Sequence, residues 1–179
     1  MKKVIQKLIR ESLKPNKVWF HGSSEPINKF SFSKIASDDT KINSYYGYGI
    51  YFTDNKNLAK SYGDSLTKVT IDGNSDILEN KVTPKQLKKV YNGLINRGVE
   101  LNDEERKWYQ NPTYGEYSVL NDVLEFYDFF LRARFHEYFK NIKEVSEFLL
   151  ESGIDGMNVI NDVGDNILVV FNEKIINVV

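Results

Sequence analysis

The chain has 179 residues, 41% hydrophobic and 27% charged, with 24 Lys plus Arg against 25 Asp plus Glu and a formal net charge of −1. This is the size and composition of one soluble globular domain, or one domain with an insertion, and the balanced charge argues against bulk nucleic-acid binding, which draws on excess cations. The absence of cysteine excludes a disulfide framework, a thiolate nucleophile and a thiolate zinc site, and the two histidines, His21 and His136, exclude a histidine-rich metal site.

Residues 1–16 read as a short basic helix, with Val4, Ile5, Leu8, Ile9 and Leu13 on a helical spacing and Pro15 as its stop. Packing onto the domain is the plain expectation, and binding to a membrane surface the sharper one. The segment lacks the apolar stretch and small-residue cleavage site of a signal peptide. No run approaches the roughly 20 apolar residues needed to cross a bilayer. No membrane span is therefore expected, and the expected location is the cytoplasm.

Residues 17–80 read as short strands and turns. Val18–His21 is a short apolar strand. In Gly49–Thr53, alternation puts Ile50 and Phe52 on one face and Tyr51 and Thr53 on the other. Asp54 is the expected N-cap of a short helix from Asn55 to Gly63. Leu66–Asp72 alternates Thr67, Val69 and Ile71 against Lys68 and Thr70 before an Asp72-Gly73 turn. Residues 81–152 read as helices. The first opens on Thr83-Pro84-Lys85-Gln86, a capping box with proline at the first helical position. It carries Leu87, Val90, Tyr91, Leu94 and Ile95 as one stripe, and Gly98 closes it. A second begins near Asn102 or Asp103 and ends before Pro112, a third spans about Glu116–Tyr138, and a fourth runs near Ile142–Glu151 up to Gly153. Residues 153–179 return to strands, with Ile167–Phe171 as a central strand covered on both faces and Ile175–Val179 as the last. Strands on both sides of a helical block predict a single α+β domain over 1–179 with a helical insertion.

Four local features carry chemistry. His21-Gly22-Ser23 ends the first strand, where a histidine can meet a ligand hydroxyl and a glycine admits a ligand to the backbone. Alone, a histidine there is more often structural. Tyr51 points away from the Ile50/Phe52 face. Tyr62 follows on the short helix, one turn from Ala59, so the two tyrosines could flank a flat, cationic heteroaromatic ring. Gly153-Ile154-Asp155-Gly156 and the turn with Asp162 and Asp165 precede the late strand; plain turn chemistry explains those acids equally well. Arg132, Arg134 and His136 lie near the end of the third helix, where cations favour its dipole.

The order and spacing of His21-Gly22-Ser23, Gly47-x-Gly49-Ile50-Tyr51-Phe52-Thr53-Asp54, Ala59-x-x-Tyr62, Gly153-x-Asp155-Gly156 and Val169-Val170-Phe171 resemble the ADP-ribosyltransferase fold. The branch is that of diphtheria toxin and poly(ADP-ribose) polymerase, marked by a His-Tyr-Glu triad, and small phage and mobile-element domains of that kind are most similar. The motifs cover about residues 18–72 and 153–179 and leave out the helical block. The resemblance implies a split antiparallel sheet around an NAD+ cleft and an NAD+-dependent mono-ADP-ribosyltransferase that releases nicotinamide. Its acceptor would be a macromolecule, a host protein if the chain is a phage effector or toxin, and the helical block would recognise it in the host cytoplasm. No metal is implied.

Residue by residue, the resemblance makes His21 and Tyr51 catalytic. His21 would hold a ribose hydroxyl, and the Gly22 backbone the nicotinamide carboxamide. Tyr51 and Tyr62 would sandwich the ring, with Ser23, Phe52 and Ala59 lining the pocket. The family often has serine at the place of Ala59. Its third triad residue, usually glutamate, falls on Ile167. Loss of such an electrostatic stabiliser costs on the order of 10²–10³ in rate. Asp165 or Asp162 would then supply the carboxylate, or the acceptor's own carboxylate would help, as in family members with Ile or Leu there. A third outcome is NAD+ binding without turnover. Two rival classes stand beside the transferase: a non-catalytic NAD or ADP-ribose-binding or inhibitor module acting on a partner protein, and a nuclease using His21 or His136 with a lysine.

Overall fold

A computed structural model of the chain describes residues 17–32, 46–79, 82–110, 135 and 137–179, without the side chains of 108 and 110. The expected helix of residues 1–16, most of the third expected helix, and Arg132, Arg134 and His136 lie outside the described residues.

The elements follow in the order β1 (Trp19–Ser23), β2 (Ile50–Thr53), α1 (Lys56–Ser61), β3 (Ser65–Ile71), β4 (Ile77–Leu78), α2 (Pro84–Asn96), α3 (Asp103–Gln110), α4 (Ile142–Glu151), β5 (Gly156–Ile160), β6 (Asn166–Val170), a 3-10 turn (Glu173–Ile175) and β7 (Ile176–Val178). The seven strands form one sheet in the order β4-β5-β6-β2-β1-β3-β7. Strands from both ends of the chain interleave in it, so the α+β architecture with helices between two strand regions holds. The sheet is mixed and continuous, not purely antiparallel and split. The two-residue β4, too short for alternation to reveal, runs parallel to β5, and the other pairs are antiparallel.

The core has two faces. On the helical face, α2 and α4 bring Leu87, Val90, Leu94, Val145, Phe148 and Leu149 onto Met157, Val159, Ile167 and Val169. On the other, the segment after β1 lays Phe30, with Ile27 and Phe32, over Trp19, Ile50, Phe52, Val69, Leu168 and Val170. The continuous apolar run of β6 thus serves both faces, as a central strand must.

Local signals set the helix ends. Thr83 accepts from the Gln86 amide while Gln86 returns a bond to the Thr83 amide, completing the capping box of α2. Gly98 and Gly153 close α2 and α4 at φ +75° and +80°, a conformation that spares only glycine the Cβ clash.

Gly153-Ile154-Asp155-Gly156 is a structural staple. The Asp155 carboxylate accepts from the Asp76 amide at 2.9 Å and from Asn172 Nδ2 at 2.7 Å. Its carbonyl accepts from the amides of Phe171 and Asn172. Asp76 in turn accepts from Gln86 Nε2 and Lys89 Nζ. One acid thereby ties the strand pair β4–β5 to the end of β6 and, through Asp76, to α2.

Candidate functional site

The candidate site centres on the junction of the neighbouring strands β1 and β2. Their ladder registers a single pair, Phe20 with Thr53, whereas β1 and β3 register five consecutive pairs. Beyond Phe20 a side chain takes over, and His21 Nδ1 donates to the Tyr51 carbonyl at 2.8 Å. A carbonyl only accepts, so Nδ1 carries the proton and the neutral ring presents Nε2 as an acceptor. The ring packs edge-on to Phe30 at 5.1 Å and against Phe52 at 5.7 Å. Burial pushes its pKa below the ordinary 6.5, partly offset by the bond to Tyr51, so the imidazole is neutral at pH 7.

Gly22 faces the opposite side of β1, where a Cβ would overlap the Ala59 backbone carbonyl and come within 3.4 Å of the Tyr62 Cβ. The glycine after the histidine is therefore required by the approach of α1. Gly63 makes the same approach to the Ser23 backbone. Ser23 Oγ donates to the Glu25 carbonyl at 2.6 Å. Ala59 is 1% exposed and Tyr62, at the C-cap of α1, is 70% exposed. Tyr51 is half-buried at the margin of the helical-face core, and its hydroxyl donates to the Gly47 carbonyl at 2.5 Å. Tyr51, Gly22, Ala59 and Tyr62 are thus brought to one face of the sheet. His21 lies on the other face and joins them through the Tyr51 carbonyl. Phe52, expected to line the pocket, is 2% exposed in the opposite core and supports the His21 ring instead.

The N-cap of α1 is Asn55, not Asp54. Asn55 Oδ1 accepts from the amides of Asn57 and Leu58. Asp54 is drawn away by Asn166 Nδ2 at 2.7 Å and Lys17 Nζ at 2.9 Å. Asn55 Nδ2 donates to Asp165 Oδ1 at 2.8 Å. Ile167 pairs with Thr53 and is 7% exposed. It stands in the helical-face row of Tyr51, and Asp165 lies on that face one pleat repeat further out, about 7 Å along the strand. Asp162 is exposed in the β5–β6 turn. Sequence reasoning missed Asn55 and Asn166. The signal was available as two Asp/Asn doublets, Asp54-Asn55 and Asp165-Asn166, flanking strands that pair.

A separate cavity of about 300 Å³ lies beyond the start of β2, lined by Phe32, Tyr48, Lys143, Ser146, Glu147, Leu150 and Phe171. It contains none of the expected site residues. Among the described residues, no cluster of His, Asp and Glu is placed to hold a metal ion, and no helix is long and apolar enough to cross a membrane. Comparison with protein-family models, curated proteins and solved structures finds no match.

Proposed function

We propose that the β1–β2 junction binds NAD+ and that the protein is a mono-ADP-ribosyltransferase acting on a macromolecular acceptor, a host protein in the effector reading. The observation that carries this reading is the fixed His21 tautomer beside a glycine pressed under the helix that bears Tyr62. A histidine nitrogen that can accept a hydroxyl and two tyrosines then lie within a few residues of one strand junction.

In this reading the nicotinamide ring lies between Tyr51 and Tyr62, whose π-faces favour a cation. His21 Nε2 accepts a ribose hydroxyl, and the Gly22 backbone meets the carboxamide. The nicotinamide–ribose bond breaks, nicotinamide leaves with the electron pair, and the acceptor nucleophile bonds to the same carbon as its proton departs. Ile167 offers no carboxylate in the Tyr51 row, which favours a reaction assisted by the acceptor's own acid and limited to one ADP-ribose unit. Incubation with labelled NAD+ and host lysate should label a discrete band that Tyr51→Ala removes. No label with either protein overturns the enzymatic reading.

The buried Ile167 also favours a second reading, an NAD+-binding module without turnover. Millimolar NAD+ would then raise the melting temperature with no nicotinamide released, the stabilisation reaching about 2.7 kcal/mol at one hundred times the dissociation constant. The absence of any shift would count against both readings.

A further inference from the structure

We propose that Asn55 and Asp165 are positioning residues for Tyr62, which the proposed function sets against the nicotinamide ring: their hydrogen bond is a clasp that sets the pose of α1, and Asp165 acts through Asn55 and not as an acid. The inference rests on the reading of the β1–β2 junction as an NAD+ site.

The β2–β6 register pairs Ile50 with Val170, Tyr51 with Val169, Phe52 with Leu168 and Thr53 with Ile167. Past Thr53 the backbone ladder stops, but the register does not. Asp54 meets Asn166 and Asn55 meets Asp165, each through a side-chain hydrogen bond, at 2.7 and 2.8 Å. The two rungs are complementary, with acid and amide exchanged between strands. By strand alternation, the Asn55–Asp165 rung falls on the face of Tyr51 and α1.

Asn55 divides its carboxamide between two tasks. Its oxygen takes the first-turn amides of α1 and its nitrogen takes Asp165. Asp165 is itself braced, because its amide donates to Asn161 Oδ1 at 2.8 Å and its carbonyl accepts from the Asn161 amide at 3.0 Å. The acid is therefore a fixed post on a closed turn. Helix α1 has only six residues, too few to be stable on its own, so attachments at its two ends set its pose. One end carries the clasp. The other carries the Gly22–Ala59 and Ser23–Gly63 backbone approaches and Tyr62. Tyr62 is 70% exposed and takes its position from the helix beneath it. The helix is about 9 Å long, which sets the Asp165 carboxylate at the end of α1 away from Tyr62. From there it can influence Tyr62 only through α1.

The test is a set of variants of the full chain. NAD+ affinity is read by calorimetry, and the order of α1 by deuterium exchange at the amides of residues 59–62. Asp165→Asn keeps an oxygen facing Asn55 and should change affinity by less than about twofold. Asp165→Ala, Asn55→Asp (which keeps the cap but opposes two carboxylates) and Asn55→Ser (which caps but cannot reach) should each weaken binding about tenfold, the value of one hydrogen bond to a charged group, and speed exchange in α1. The exchanged pair Asn55→Asp with Asp165→Asn rebuilds the rung with donor and acceptor swapped, and should restore both readouts. If Asp165→Asn is as damaging as Asp165→Ala and the exchanged pair gives no rescue, the carboxylate itself acts and the proposal is overturned. Unchanged affinity and exchange in Asn55→Asp and Asp165→Ala overturn it equally. If the unaltered protein does not bind NAD+, the functional reading fails by itself, while the exchange data still decide whether the clasp orders α1.

Discussion

Two motif-bearing regions of this molecule are built from similar residues and end differently. At Gly153-Ile154-Asp155-Gly156, both carboxylate oxygens of Asp155 and its carbonyl meet protein donors. At the β1–β2 junction, a short ladder leaves His21 to bridge the strands with one nitrogen, and Tyr62 stands mostly in solvent. The first region spends its polar groups on holding strands together. The second joins its strands through one imidazole nitrogen and leaves the Tyr62 ring largely exposed. The same residue types thus close one region with hydrogen bonds and leave the other with a short ladder and an exposed ring.

The contrast is sharpest for stability. Asp155→Ala strands the Asp76 amide and the Asn172 carboxamide, and should cost about 3 kcal/mol by thermal or denaturant unfolding, with NAD+ affinity preserved in the folded fraction. A small cost would break the distinction, since Asp155 would then be free for other work. Gly22→Ala drives a Cβ into the Ala59 carbonyl and should cost about 1–3 kcal/mol, the range for overpacking. Unlike the first variant it should also displace α1 and lose ligand binding. Tyr62→Ala should leave stability within about 0.5 kcal/mol, as for an exposed position. It should still weaken binding of nicotinamide-containing ligands, by about 1–3 kcal/mol if stacking there resembles aromatic–base stacking; an unchanged affinity in calorimetry would remove Tyr62 from the site.

The smallest effect concerns pH. The folded pKa of His21 lies below its ordinary 6.5 because of burial. As pH falls through 6.5, the unfolded chain takes up a proton that the folded ring still refuses, so the unfolded state binds more protons and stability declines until the folded value is reached. His21→Ala should flatten that part of a stability-against-pH curve between pH 7 and 5. An equal slope in both proteins would contradict a buried, neutral imidazole.

Much of the architecture was legible from local chemistry. The Thr83–Gln86 box, Gly98 and Gly153, the alternation of β2 and β3, and the doubly covered β6 all follow from period, caps and backbone freedom, and all stand in the structure; the stripe of α2 stands at Leu87, Val90 and Leu94, while Ile95 at its end is exposed. Boundaries slipped where side chains compete. Asp54 and Asn55 are both good caps, and the partner strand chose between them by engaging Asp54 through Asn166. The candidate site was legible as types and spacings, including His21, Tyr51, Ala59 and Tyr62. Its arrangement was not. Phe52 could not be assigned to the support of His21, nor Asp155 to a staple, without knowing which strands lie side by side.

The sequence by itself determined the elements, the polarity of their faces and the scarcity of chemistry available: no cysteine, two histidines and a balanced charge. These are properties of short stretches and of totals, where periodicity and capping act over a few residues. Only the tertiary structure decided that β6 inserts beside β2, that the ladder between β1 and β2 stops at one pair, and that Asn55 faces Asp165 across 110 positions of chain. Such long-range partners are selected by burial of both sheet faces at once, a condition on the whole core that no local pattern contains.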